Sequence, residues 1–63
     1  MAYSILLRTP DVAKMLGVSI TTIEHMRSAG RGPTWTKVGR SVRYRPDDIQ
    51  AYLAANTVTS NHN

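Results

Sequence analysis

The chain contains no cysteine among its 63 residues. Without thiols it can form neither a disulfide framework nor a thiolate zinc site. A domain of this length buries a limited core and is only marginally stable by itself. We therefore expect its stability to come from helix packing or from association with a partner.

Long hydrophobic runs are also missing. No apolar stretch approaches the roughly 20 residues that a membrane-spanning helix needs. Residues 1–8 lack a basic region and carry only a brief apolar patch, so we do not expect a signal peptide. We predict an intracellular protein that does not act at a membrane.

Candidate catalytic and metal-ligating groups are scarce. The two histidines, His25 and His62, have no cysteine or suitably spaced carboxylate beside them, which argues against a metal site. Asp47 and Asp48 are adjacent, and on a helix their side chains diverge by about 100°, so they are poor acid–base partners. No spacing supports a Ser/His/Asp arrangement. We expect no enzymatic activity and no cofactor.

Acidic residues number only four, against eight lysines and arginines, and the formal net charge is +4. Six basic residues and no acidic one lie in residues 27–45. Excess positive charge can simply keep a surface soluble. Its segregation into one segment favours a basic face that binds phosphate groups.

Two short helices joined by a tight turn are predicted near the N-terminus. Thr9 is a suitable N-cap, Pro10 suits the first helical position, and Asp11 complements the helix dipole. Gly17 fits the end of this first helix, where a left-handed backbone is required. Ser19 then caps a second helix. The pattern predicts a helix-turn-helix, whose second helix can enter the DNA major groove.

The second helix has one apolar and one polar face. Ile23 and Met26 share a face with Val18, whereas Thr21 and His25 point away from it together with Glu24 and Ser28. Threonines are poor helix formers, so their presence favours a face chosen for contact.

A basic β-hairpin is predicted after residues 30–33, whose glycines and proline break the helix. Two β-branched and aromatic stretches flank Gly39-Arg40, a pair suited to a type II′ turn. Such a hairpin needs packing support. We expect that support from four side chains: Trp35, Val38, Val42 and Tyr44. Trp35 could alternatively act as an intercalating wedge, although anchoring the hairpin is favoured.

A third helix is predicted to begin at Pro46 and to end near Asn56. Ile49, Tyr52 and Leu53 form its apolar stripe. Residues 1–56 are thus predicted to be a single domain, and residues 57–63 a flexible polar tail. The predicted fold class is mainly α with a small β-hairpin, in the order helix, turn, helix, hairpin wing and helix.

The order of these motifs resembles the small MerR-like winged helix-turn-helix domains of phage and plasmid excisionases and of AlpA-type regulators. The resemblance covers residues 5–54. The matching residues are Leu7, the stretch from Thr9 to Ser19, Thr22-Ile23, Gly32-Pro33, Lys37 to Arg40, Val42 to Arg45, Asp48 and Tyr52-Leu53.

The resemblance implies a function in DNA recombination. Excisionases of this type are architectural factors, or recombination directionality factors, that bind adjacent sites cooperatively and bend attachment-site DNA. The bend lets an integrase assemble the excisive complex. The implied partners are double-stranded DNA, further copies of the chain and a phage integrase, in the cytoplasm of a bacterial host. A small AlpA-like transcription regulator is the alternative. A module that binds an acidic protein is a third possibility.

The expected DNA contacts lie on the second helix and on the wing. The residues predicted on the helix are Ser19, Thr21, Thr22, His25, Arg27 and Ser28. Those predicted on the wing are Lys37, Arg40, Arg43 and Arg45. Several alternatives remain open: Thr22 could serve only the helix cap, His25 could be an ordinary exposed histidine, and Arg27 could cover the core with its aliphatic stem. The wing cations could simply be solvated.

Overall fold

The computed structural model describes residues 5–58, which form three helices and one antiparallel hairpin. In chain order the elements are α1 (Thr9–Leu16), α2 (Ile20–Ser28), β1 (Thr36–Val38), β2 (Ser41–Arg43) and α3 (Pro46–Asn56). This is the predicted architecture of a winged helix-turn-helix, which the structure confirms. Within the described residues, no helix has the length and apolar character needed to cross a membrane.

Helix α1 begins one residue earlier than predicted. Arg8, and not Thr9, is the N-cap, with an extended backbone at φ −93° and ψ 165°. The Arg8 backbone N–H donates to Asp11 Oδ2 at 3.0 Å. A carboxylate at the third helical position thus binds back to the cap residue, so the helix start does not depend on a side-chain oxygen from Thr9.

The turn between α1 and α2 follows the prediction. Gly17 ends α1 in the left-handed region at φ +70°, where a side chain would be strained. Ser19 caps α2, its Oγ accepting from the Thr22 backbone N–H at 3.1 Å. Val18 between them is 40% exposed, so its predicted place on the apolar face was wrong. As a turn residue it stands outside the helical periodicity used to place it.

The core is small and combines residues of all three helices with Tyr44, which follows β2. Its buried members are Val12, Ala13, Ile23, Tyr44 and Ile49. Four side chains pack around them while remaining partly exposed, namely Leu7, Leu16, Met26 and Val42. The backbones of Leu7 and Tyr44 exchange two hydrogen bonds of 2.8 Å, which tie the N-terminal segment to the end of the wing. Tyr44 is therefore the residue through which the wing joins the core.

The register of the hairpin corrects the predicted orientation of Val38. Lys37 pairs with Val42 and Val38 pairs with Ser41, across the two-residue turn Gly39-Arg40. Directly opposed residues share a sheet face. Lys37 therefore lies on the Val42 face, and Val38 lies on the opposite face, where it is 49% exposed. Gly39 has φ +61° and Arg40 does not have a positive φ, in keeping with the predicted type II′ turn.

Trp35 does not anchor the hairpin in the core as predicted. Its side chain is 40% exposed, whereas Tyr44 is 1% exposed and Val42 packs against the buried cluster. The space beneath the wing is thus occupied by Tyr44. Trp35 remains at the edge of the domain, with the Arg27 guanidinium carbon 6.0 Å from its ring centroid.

Helix α3 packs through fewer residues than its sequence suggests. Ile49 is buried, and the Tyr52 hydroxyl donates to Met26 Sδ at 3.8 Å. Because the helix turns its Ile49–Tyr52 side inward, Leu53 lies at the margin and is 40% exposed, contrary to prediction. The helix ends at Asn56, as predicted. Of the predicted tail, residues 57–58 lie outside the helices and strands, and residues 59–63 lie outside the described residues.

Candidate nucleic-acid interface

Helix α2 presents a polar face to solvent. Thr21, His25 and Ser28 are all exposed, and Ile23 on the opposite side is 1% exposed. At 100° per residue the first three fall within one sector of the helix surface. Hydroxyl and imidazole groups can exchange hydrogen bonds with base edges or phosphates. The structure therefore brings these predicted contact residues together, and their contact with DNA stays a prediction.

Ser19 and Thr22 are engaged with one another. Their hydroxyl oxygens lie 2.8 Å apart, and Ser19 Oγ also accepts from the Thr22 backbone N–H. One hydroxyl must donate to the other, so part of their hydrogen-bonding capacity is already used. Both side chains remain exposed and retain acceptor sites for an outside donor. Thr22 therefore does take part in the helix cap, which was one of the two roles left open for it.

Two further side chains on this face were not predicted as contacts. Ile20, the first residue of α2, is 44% exposed, although it is a large apolar residue. Glu24 follows it by four residues on the same helix edge and is also exposed. An apolar group can contact a thymine methyl, and a carboxylate can accept from the cytosine amino group. Their exposed position on the first turns of α2 makes both candidate contacts.

Arg27 connects three parts of the fold. Its Nη1 donates to the Tyr44 hydroxyl at 2.9 Å and to Thr9 Oγ1 at 3.4 Å. Its guanidinium also lies at cation–π distance from Trp35. The side chain is half-buried. Arg27 therefore links α2 to α1 and to the wing, and its positive charge is held in a fixed place at the edge of the predicted DNA-binding face.

The wing carries four cations in different environments. Arg40 at the turn tip and Lys37 on β1 are both exposed. Arg43 is half-buried, and its Nη1 donates to the Val42 carbonyl at 2.9 Å. Arg45 Nε lies 3.2 Å from Asp48 Oδ2 in an ion pair. Of the four predicted phosphate-binding residues, Lys37 and Arg40 are therefore the ones with no such intramolecular partner among the described residues.

A cleft of about 250 Å³ separates the C-terminal end of α2 from the start of β1. Its lining consists of Arg27, Gly30, Arg31, Gly32, Pro33, Thr34 and Trp35. Arg31 is exposed and was not among the predicted contact residues. Its place in the acid-free basic segment was the available signal. Hence the positive surface extends from the wing to the end of α2.

Comparison with known families agrees with this geometry. The family model described as "Helix-turn-helix domain" matches residues 6–57, which include all five elements of the fold. No curated protein matches the chain significantly. Because the match covers most of the chain, and because α1, the Gly17 turn and α2 have the geometry of that motif, the protein is a small DNA-binding protein that belongs to the helix-turn-helix domain family.

Proposed function

We propose that this protein is an excisionase-like recombination directionality factor, which binds adjacent DNA sites in several copies and bends them. The single observation that carries the DNA-binding mode is the exposed polar face of α2 beside a wing whose tip residue, Arg40, is exposed. The assignment to recombination is supported by the resemblance of the motif order to that of excisionases. In this function the protein supplies DNA geometry and no chemistry of its own.

In this proposal α2 lies in the major groove. The hydroxyl group of Thr21 and the imidazole of His25 contact base edges, while Ser19 and Ser28 lie near phosphates. These side chains are short, so they reach bases only when the helix axis comes close to the groove floor. Glu24 is the only acidic residue on α2, and it lies on the same exposed face, where its carboxylate can accept from a cytosine amino group.

The wing adds affinity and favours bending. Arginine at a hairpin tip can enter a narrow minor groove, where the negative potential is strongest. Arg40 is exposed at the turn, the part of the hairpin farthest from Tyr44, and Lys37 is exposed on β1, where it pairs with Val42. Contacts in a major groove and a neighbouring minor groove at once are easier on bent DNA. The wing thereby couples binding to deformation.

The small size of helix α2 favours binding by several copies of the protein at adjacent DNA sites. Helix α2 has 9 residues, about two and a half turns, and only its exposed side can contact bases. One copy therefore distinguishes few base pairs. Neighbouring copies on the same DNA multiply that selectivity, which is the reason we include self-association in the proposal. The integrase partner is included because the resemblance to excisionases implies it.

DNase footprinting and a circular-permutation bending assay test this function on the DNA that flanks the gene. We expect an extended footprint, a ladder of shifted bands and a position-dependent mobility change. A single isolated footprint without distortion would contradict the architectural function. Activation of a promoter with no effect on excision would support the AlpA-like alternative. Tight binding to an acidic protein, with no sequence preference on DNA, would support an interaction module.

Arg40→Ala is expected to weaken binding to all duplexes and to lower the salt slope by about one. Its guanidinium is exposed, so its contact with a phosphate would release about one counterion. The matched control is Arg45→Ala, because Asp48 already neutralises part of that charge. We expect a smaller slope change for this control. Gel shifts over a series of salt concentrations measure the salt slope of each variant. Equal slopes for wild type and Arg40→Ala would show that Arg40 does not contact a phosphate.

A further inference from the structure

We propose that the cleft between α2 and β1 seats one phosphodiester group and its deoxyribose, with Arg31 as the contacting cation and Trp35 as the wall. The inference rests on the proposed DNA-binding function and adds a third contact region to the helix and the wing. The DNA strand would cross the protein surface between those two elements, which is where the cleft lies.

The shape of the cleft is fixed because backbone hydrogen bonds join the loop that forms it to α2. The Arg31 backbone N–H donates to the Met26 carbonyl at 2.7 Å, and that of Gly30 donates to the Arg27 carbonyl at 3.1 Å. Gly32 has φ +87°, and a Cβ there would lie 3.1 Å from Met26 Cβ. Pro33 is buried. The floor is therefore closely packed, and it leaves the Arg31 side chain exposed at the rim.

The chemistry of the lining suits an anion next to a flat apolar group. Arg27 and Arg31 contribute two positive charges, and no acidic residue lines the cleft. Nη1 of Arg27 donates to Tyr44 and Thr9, which holds the guanidinium in place at the cleft. Trp35 is 40% exposed, so part of its ring is available to a sugar. The exposed tryptophan and the additional arginine are both features that the helix and wing contacts leave unexplained.

The C-terminal end of α2 opposes an anion only weakly. A helix dipole places about −0.5 charge there, which is less than the charge of two guanidinium groups. The carbonyls of His25, Met26 and Arg27 also already accept from Ala29, Arg31 and Gly30 respectively. Each of these carbonyls therefore already has one N–H partner, which offsets part of its negative charge. The net potential in the cleft favours an anion.

Trp35 makes the inference measurable, because it is the only tryptophan in the chain. A duplex recovered by selection from a randomised library is titrated into the protein, and binding is followed in parallel by gel shift and by tryptophan emission. We expect a saturable emission change that tracks the gel shift. Binding by gel shift with constant emission would overturn the cleft contact alone. Failure to recover or shift any duplex would overturn the proposed function itself.

Arg31→Gln and its control Arg40→Gln separate the cleft from the wing. Both should lower the salt slope by about one. Arg31→Gln should also remove most of the emission change, and Arg40→Gln should retain it. Both side chains are exposed, so circular dichroism should show that both variants fold.

Neutral methylphosphonate replacements along the duplex give a second, independent test of the cleft. One position should weaken binding by wild type and by Arg40→Gln but leave Arg31→Gln unaffected. If no replaced phosphate loses its effect in Arg31→Gln, the cleft does not seat a phosphate.

Discussion

Tyr44→Ala is expected to unfold the domain. Truncating a large buried aromatic residue costs about 3–5 kcal/mol, which is comparable to the whole free energy of unfolding of a domain this small. Tyr44 is 1% exposed and lies among core residues of α1, α2 and α3. Its hydroxyl also accepts from Arg27 at 2.9 Å. One substitution thus removes the packing and the polar contact that join the wing to the helices.

Urea unfolding followed by circular dichroism measures this effect against two comparison variants. Val38→Ala, on the same hairpin but 49% exposed, should change the free energy of unfolding by less than about 0.5 kcal/mol. Tyr44→Phe keeps the ring and should cost about 0.5–1.5 kcal/mol, the net contribution of one hydrogen bond. A cooperative unfolding transition for Tyr44→Ala at the wild-type urea concentration would contradict the description of Tyr44 as the link between wing and core.

Thr21→Ala and His25→Ala are expected to reduce discrimination among DNA sites by about 1–3 kcal/mol at each affected base pair. Both side chains are exposed on α2, so neither substitution should disturb the core. Binding to unrelated duplexes should change little, because phosphate contacts provide most of that affinity.

Competition between a selected duplex and a scrambled duplex measures this discrimination for each variant. The matched control is Gln50→Ala, an exposed polar substitution on α3, which should leave the ratio of the two affinities unchanged. If His25→Ala keeps the wild-type ratio at every base pair, the imidazole does not read the sequence. The same result for Thr21→Ala would move recognition to another face of α2.

Local features of the fold were predictable from the sequence because few residues determine them. Gly17 and Ser19 produce their turn and cap through backbone conformation and a contact only three residues long. The Gly39-Arg40 turn is likewise determined by two adjacent residues. The start of α1 was misplaced by one residue because Asp11 and Thr9 could both satisfy its first backbone groups, and Asp11 does so.

Side-chain orientation depends on distant packing, and there prediction from the sequence was less successful. Val38 was predicted to pack against the helices but lies on the hairpin face opposite Val42, because cross-strand register determines which side of the hairpin a residue occupies. Trp35 looked like an anchor by residue type, but Tyr44 fills that space. The Arg27 contacts with Tyr44 and Thr9 span 17 and 18 residues, so no local pattern reports them.

In the candidate site, too, local features were predictable from the sequence and side-chain contacts were not. Helical periodicity was sufficient to place Thr21 and His25 on the exposed side of α2. It could not show that Arg43 and Arg45 already have intramolecular partners, since those contacts depend on side-chain conformation. It also could not show that Arg31 and Trp35 line the same cleft, because the loop between α2 and β1 has no periodicity to follow.

Amide chemical-shift mapping on addition of a selected duplex tests most directly whether α2 and the wing form the DNA-binding surface. The account predicts the largest shifts in α2, from Ile20 onward, and around Gly39-Arg40, with small shifts along the exposed side of α3. Large shifts confined to α3, with α2 and the hairpin turn unchanged at saturation, would contradict it.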